Sequence, residues 1–182
     1  MNASPLDFLA NFQGGGFRPN RYNVILTFPN GVPNGAAAQT KFGFTCKAAS
    51  IPSSQLGVAD VPYMGRVVKI PGDKVWDDWT VTVMLDTDFS TRDVFETWHD
   101  LILGFRGNTA APGFANPSTT FATATVNALD RYDNIVKSYQ IEGMWPTNVG
   151  EVTLGYDQND QIAEMPVTFA VNGWSSDTTR AN

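Results

Sequence analysis

With 182 residues, 42% hydrophobic and 16% charged, the chain fits one globular domain, and at that size roughly 70% of the unfolded surface is buried on folding. A net charge of −6 with 12 Lys and Arg excludes a general nucleic-acid binder, because neutralising phosphates takes clustered cations. Cys46 is the only cysteine, which excludes an internal disulfide, and no window approaches the ~20 consecutive apolar residues of a membrane helix.

The charge is unevenly spread: residues 1–75 carry +4 and residues 76–182 carry −10. Such a gradient allows the basic part of one copy to meet the acidic part of another. The N-terminal MNASPLDFLANFQGGG lacks the basic and apolar regions of a signal peptide, so a soluble protein made in a cytoplasm is expected. Gly14, Gly15 and Gly16 read as a hinge; they neither follow a strand nor carry the Gly-Lys-Ser/Thr ending of a phosphate loop.

YNVILTFP (22–29) and KFGFTC (41–46) are β-rich runs separated by Asn-Gly turn signals, which predicts a hairpin with an enlarged loop. Pro52, Pro62 and Pro71 then punctuate the apolar SQLGVADVPYMGRVVKIPG. Proline cannot donate to a ladder, so residues 54–72 are expected as a protruding arm or an edge. In WTVTVML (79–85), Trp79, Val81, Val83 and Leu85 fall on one face and Thr80, Thr82 and Met84 on the other. Asp77 and Asp78 at its head would diverge along such a strand, so they are expected to be structural and not a metal-binding or catalytic pair.

FSTRDVFETWHDLILGF (89–105) predicts one helix over about 90–104. Ser90 is its expected cap, Val94, Trp98, Leu101, Ile102 and Phe105 form its apolar face, and Gly104 or Gly107 stops it. Residues 106–119 read as a loop. FATATVNAL, IVKSYQIEGMW, EVTLGYD and IAEMPVTFAVNGW resume the strands, and 175–182 reads as an unfolded tail. The expectation is a single mainly-β domain over 1–182, a β-barrel or β-sandwich with one flanking helix.

No catalytic, cofactor or metal site assembles from these residues. A Cys46–His99 nucleophile pair is conceivable, but Cys46 reads as a small hydrophobe, and one Cys with one His leaves zinc without its usual ligands. Trp76, Trp79, Trp98, Trp145 and Trp174 are expected to fill core and interfaces. The alternative is an exposed row that stacks on ligands, as in a monomeric carbohydrate-binding β-sandwich.

FTCKAASIPSS (44–54), GDKVWDDWTVTVMLD (72–86) and IEGMWPTNVGEVTLGYDQNDQIAEMPVTFAVNGW (141–174), in that order, resemble the tail tube proteins of contractile-tailed bacteriophages. The most specific pieces are Asp77 to Val83 and Trp145 to Gly150. The resemblance implies a non-enzymatic structural subunit of a virion tail, assembled in the host bacterial cytoplasm. Six copies would form a ring, and rings would stack into a hollow tube that conducts DNA without binding it specifically. Implied partners are other copies, the tail sheath protein, and baseplate and tail-terminator proteins. A tube subunit of a type VI secretion system or of a phage-derived contractile particle is the nearest alternative.

Within this reading, Leu56, Val58, Val61, Tyr63, Met64, Val67, Val68 and Ile70 of the arm would be an exposed apolar patch on an isolated copy. They are candidate contacts between subunits or rings, together with Trp145 and Asn148. Glu151, Thr153 and Asp157 alternate with Val152, Leu154 and Tyr156, while Glu164 and Thr168 alternate with Met165, Val167 and Phe169. That places Glu151, Asp157, Glu164 and Thr168 as candidates for the tube lumen.

Overall fold

The structure, a computed structural model, describes residues 4–12 and 16–179. Strand β5 (Trp79–Met84) buries Trp79, Val81 and Val83 and turns Thr80 outward, as period-two alternation requires. It pairs on one side with β2 (Cys46–Ala49) and on the other with β8 (Glu164–Ser176), in register from Trp79↔Phe169 to Met84↔Glu164. With β1 (Tyr22–Thr27), β6 (Ala122–Leu129) and β7 (Ile135–Val149), the sheet order is β1-β6-β7-β8-β5-β2, every pair antiparallel.

The sheet curls into a nearly closed barrel. The Tyr22 hydroxyl on one edge strand lies 3.0 Å from the Cys46 carbonyl on the other and also meets that of Lys47. Burial, with a smaller contribution from Cys46, raises the Tyr22 pKa, so this link is present at all physiological pH. Two helices, α2 (Gly35–Thr45) and α3 (Ser90–Ile102), complete the core. Phe28 lies 5.4 Å from Phe95 and 5.6 Å from Trp98, Phe42 lies 6.0 Å from Phe95, and Phe169 lies 5.7 Å from Trp79. These offset and edge contacts add to simple area burial.

Helix α2 replaces the expected hairpin: β1 pairs with β6, and 41–45 is helical. The period-two Phe42/Phe44 signal is outweighed by Ala36 to Ala38, the strongest helix formers. Gly35, Ala38 and Phe42 fall on one buried stripe at helical spacing, whereas Phe44 is exposed. Lys41 anchors this helix, with Nζ 2.7 Å from Asp86 Oδ2, Asp88 Oδ2 and Ser90 Oγ. That ammonium is the main cause holding Asp88 well below the usual carboxylate range.

Helix α3 starts at Ser90 as expected, but its cap residue is Phe89 at φ 52°, and the Asp88 carboxylate accepts the Ser90 N–H. Thr91 and Phe95 join Val94 and Trp98 on its buried face; Phe105 lies beyond the helix and is 94% exposed. Two short helices, α1 (Pro5–Asn11) and α4 (Pro117–Thr120), were not expected. EVTLGYD is not a strand: β7 ends at Val149, β8 begins at Glu164, and the segment between is irregular. Nor is 175–179 an unfolded tail, since β8 runs through buried Ser176 and the Lys137 ammonium pairs with Asp177 at 2.5 Å. Of the expected hinge, Gly14 and Gly15 lie outside the described residues, as do Arg180 to Asn182 of the tail.

The WPTNVG segment owes its form to the β7–β8 junction. Register shifts between Pro146 and Asn148, the Thr147 hydroxyl donates to the Thr168 carbonyl at 3.1 Å, and the Gly150 N–H donates to the Pro166 carbonyl at 2.7 Å. A Cβ on Gly150 would lie 2.5 Å from Pro166 Cγ. Gly150→Ala is therefore expected to cost about 1–3 kcal/mol through overpacking, read as a lower urea midpoint at unchanged m-value. An unshifted midpoint would show that the junction yields freely.

Candidate functional site: an assembly surface

The arm is a hairpin of β3 (Ser54–Tyr63) and β4 (Arg66–Trp76), a two-stranded sheet apart from the barrel. Both strands are edges, so Pro62 and Pro71 sit where a missing N–H is tolerated. Its two-residue turn uses Met64 at φ 46° and Gly65 at φ 79°, the positive-φ pair that suits the twist of a tight hairpin. Apart from half-exposed Ser54, Gly72 and Trp76, every residue of the two strands is exposed.

The register shifts between Leu56 and Val58. There a Cβ on Gly72 would meet the Gly57 carbonyl carbon at 3.1 Å, so paired glycines form a narrow neck. Beyond it, Ala59↔Ile70, Val61↔Val68 and Tyr63↔Arg66 share one face, and Val58↔Pro71, Asp60↔Lys69 and Pro62↔Val67 share the other. Both faces are thus apolar and in water, the condition that marks an interaction site. A hairpin with two such faces fits between two covering surfaces.

Aromatic contacts hold the arm's base. Trp76 meets Trp174 at 5.5 Å, Trp174 meets Tyr139 at 5.8 Å, and the Trp174 indole N–H donates to the Ser53 carbonyl at 2.9 Å. The Lys74 ammonium lies 4.0 Å above the Trp76 ring, a cation–π contact. Asp77, between the arm and β5, accepts hydrogen bonds from Ser53 Oγ at 2.7 Å and Gln55 Nε2 at 2.8 Å. It braces the base from just ahead of β5, at the strand's head where the sequence reading put it.

The structure thus gathers Leu56, Val58, Val61, Tyr63, Met64, Val67, Val68 and Ile70 on one exposed element. Trp145 is half-buried and stacks within its own chain on Phe121 at 5.3 Å, while Asn148 is exposed at the β7 bulge. Glu151 and Asp157 lie in the irregular 151–163 segment, so the alternation that aimed them at a lumen is absent. Glu164 pairs with Lys47, and Thr168 faces away from the core with its hydroxyl 3.2 Å from that of Thr80. Sequence reasoning missed Leu154, Tyr156 and Ile162 as exposed apolar residues; only their setting among Gly, Asp and Asn carried that signal.

The rival chemistries lack geometry. Burial pushes the Cys46 thiol up to about 12, so it is protonated at neutral pH, and its Sγ lies 3.6 Å from the Ala48 carbonyl; His99 is exposed on α3. Trp79 and Trp98 are buried, and the other three indoles pack against neighbours within the chain, so no exposed row forms among the described residues.

The family model for the phage tail tube protein matches residues 17–177. "Tail tube protein gp19" of Enterobacteria phage T4 is 34% identical over 170 residues, covering 92% of this chain and 97% of that protein. The "Tail tube protein" of Serratia phage KSP90 is 30% identical over 156 residues, 84% of each. In fold, the chain resembles a chain from the six-fold symmetrised baseplate of the anti-feeding prophage, with TM-score 0.64, 13% identity and coverage of 88% of this chain and 95% of that one. A chain from the PVC sheath–tube complex of an extracellular contractile injection system matches with TM-score 0.54 and 12% identity over 96% and 98%. A nearly closed barrel bearing an apolar arm, matched in sequence from residue 17 to residue 177, therefore places this chain in the phage tail tube protein family.

Proposed function

We propose that six copies of this chain close into a ring and that rings stack head to tail into the hollow tube of a phage tail, through which DNA passes. The observation that carries this reading is the arm, which presents two apolar faces that none of the described residues covers. A heterologous contact of that kind propagates into a filament, and lateral pairing of the barrel's edge strands removes exposed edges. The six-fold baseplate neighbour supports the ring number. The baseplate, cap and sheath–tube settings of the neighbours in fold support baseplate, terminator and sheath proteins as partners. Curated relatives from phages favour a virion tail over a secretion system, with assembly in the host cytoplasm; the role is structural and not enzymatic.

The outward face of the central strands lines the lumen in this reading. It carries Thr80, Thr82 and Thr168, with Glu164 neutralised by Lys47. A wall of hydroxyls with few free cations offers phosphate nothing to hold, because retention requires counterion release by Lys or Arg. Negative-stain electron microscopy of the purified chain should show rings or hollow rods, and featureless monomers at high concentration would sink the reading. Rods incubated with duplex DNA at low salt are expected to retain none; co-sedimentation of DNA would overturn the lumen assignment.

A further inference from the structure

The arm and the 151–163 segment project from opposite ends of the barrel. Trp76 at the arm's base lies against Trp174, late in β8, whereas 151–163 joins the last residue of β7 to the first of β8. Between Trp174 and Glu164, a strand rise of about 3.3 Å per residue separates the two ends by roughly 30 Å. The base of one copy's arm therefore lies about a barrel's length from that copy's own 151–163 segment.

The two elements are complementary in character. Residues 151–163 expose Leu154, Tyr156 and Ile162 and carry Glu151, Asp157 and Asp160 with no Lys or Arg. The arm exposes apolar side chains on both faces and carries Arg66, Lys69 and Lys74 against Asp60 and Asp73. Beside the segment's start, Glu96 and Asp100 of α3 line a hollow with Thr147, Asn148 and Val149, Glu96 being paired with Arg92 at 2.6 Å. Arg92 ties that helix to the segment's start, its Nη1 donating to the Gly150 carbonyl at 3.1 Å. A net-basic apolar hairpin at one end thus faces, in a head-to-tail stack, an acidic apolar segment at the other.

We propose that the 151–163 segment of one copy is the socket that receives the arm of the copy stacked above or below it. Apolar contact between the arm and Leu154, Tyr156 and Ile162 supplies the adhesion, and the charges set orientation. The proposal rests on the stacked-tube reading and names its contact surface. Its consequence is that 151–163 gains order and loses solvent exposure only in the assembled state.

Paired cysteines test it. Cys46 is buried and its thiol stays protonated, so it is silent during mild oxidation. In tubes of the doubly substituted Met64→Cys, Tyr156→Cys chain, oxidation is expected to give a denaturing-gel ladder extending well beyond six covalently joined chains, with no ladder from either single substitution. A ladder that stops at six would place the contact within one ring, and intact tubes without cross-links would place the socket elsewhere; either overturns the proposal. Hydrogen exchange on the unsubstituted chain is independent of any variant's assembly: 56–71 and 151–163 should both gain at least tenfold protection in tubes over the monomer. Protection of the arm alone would also overturn it. Failure of the unsubstituted chain to form tubes at all would instead strike the stacked-tube reading.

Discussion

Trp79→Ala is expected to lower the unfolding free energy by about 3–5 kcal/mol, the range for truncating a fully buried large aromatic. Trp79 is 1% exposed, its ring lies 5.7 Å from Phe169, and its indole N–H donates to the Ser50 carbonyl at 2.8 Å. Truncation therefore opens a cavity beneath the β5–β8 pair, while the Ser50 carbonyl it releases belongs to an exposed residue and can turn to water. Asp77→Asn, two residues away, should cost less than about 1 kcal/mol, because that side chain is only half-buried and the amide oxygen can still accept one of its two hydrogen bonds. A urea melt of both variants separates the roles. Equal and mild shifts would mean that β5 does not carry the core in the observed register.

The contrast shows which parts of this fold a sequence can reveal. β5 was legible because Trp79, Val81 and Val83 meet a core supplied by the same chain, so alternation and burial coincide. The arm was legible for a related reason, since Pro62 and Pro71 bar an apolar stretch from a sheet interior. Helix α2 was not, because its signal is three alanines followed by an aromatic pair at β spacing, and only the packing of Phe42 on Phe95 of another element decides between the two readings.

The 151–163 segment shows the opposite failure. Val152, Leu154 and Tyr156 alternate well with Glu151, Thr153 and Asp157, yet alternation makes a strand only where a partner strand and a core receive it. Beyond the pair Val149↔Val167 the β7–β8 ladder stops, and Leu154 and Tyr156 remain in solvent. The arm's candidate contact residues were named from apolar character in a proline-punctuated stretch, and the structure places them in solvent. The residues opposite them in an assembly belong to another copy, and no local rule in one chain points across that gap.

Removing Val58 to Pro71 is expected to leave a folded domain and abolish tubes. The cut falls beyond the Gly57–Gly72 neck, so Leu56 and Lys74 stay paired across a loop of Gly57, Gly72 and Asp73, a glycine-rich sequence that closes short hairpins readily. None of the deleted side chains is buried, and the joint at Trp76, Trp174 and Ser53 lies outside the deletion. The monomer's melting midpoint should therefore move by no more than the equivalent of about 1 kcal/mol. Assembly should respond very differently. Burying several hundred Å² of apolar arm at ~25 cal/mol per Å² gives on the order of 10 kcal/mol per contact before the entropic cost of association. Loss of most of that term leaves stacking without its main adhesion. Electron microscopy paired with sedimentation should show isolated rings or monomers and no long rods. Long tubes formed by the deletion variant would show that ring stacking runs through the barrel ends alone, and an unfolded variant would show that the arm supports the barrel it leaves.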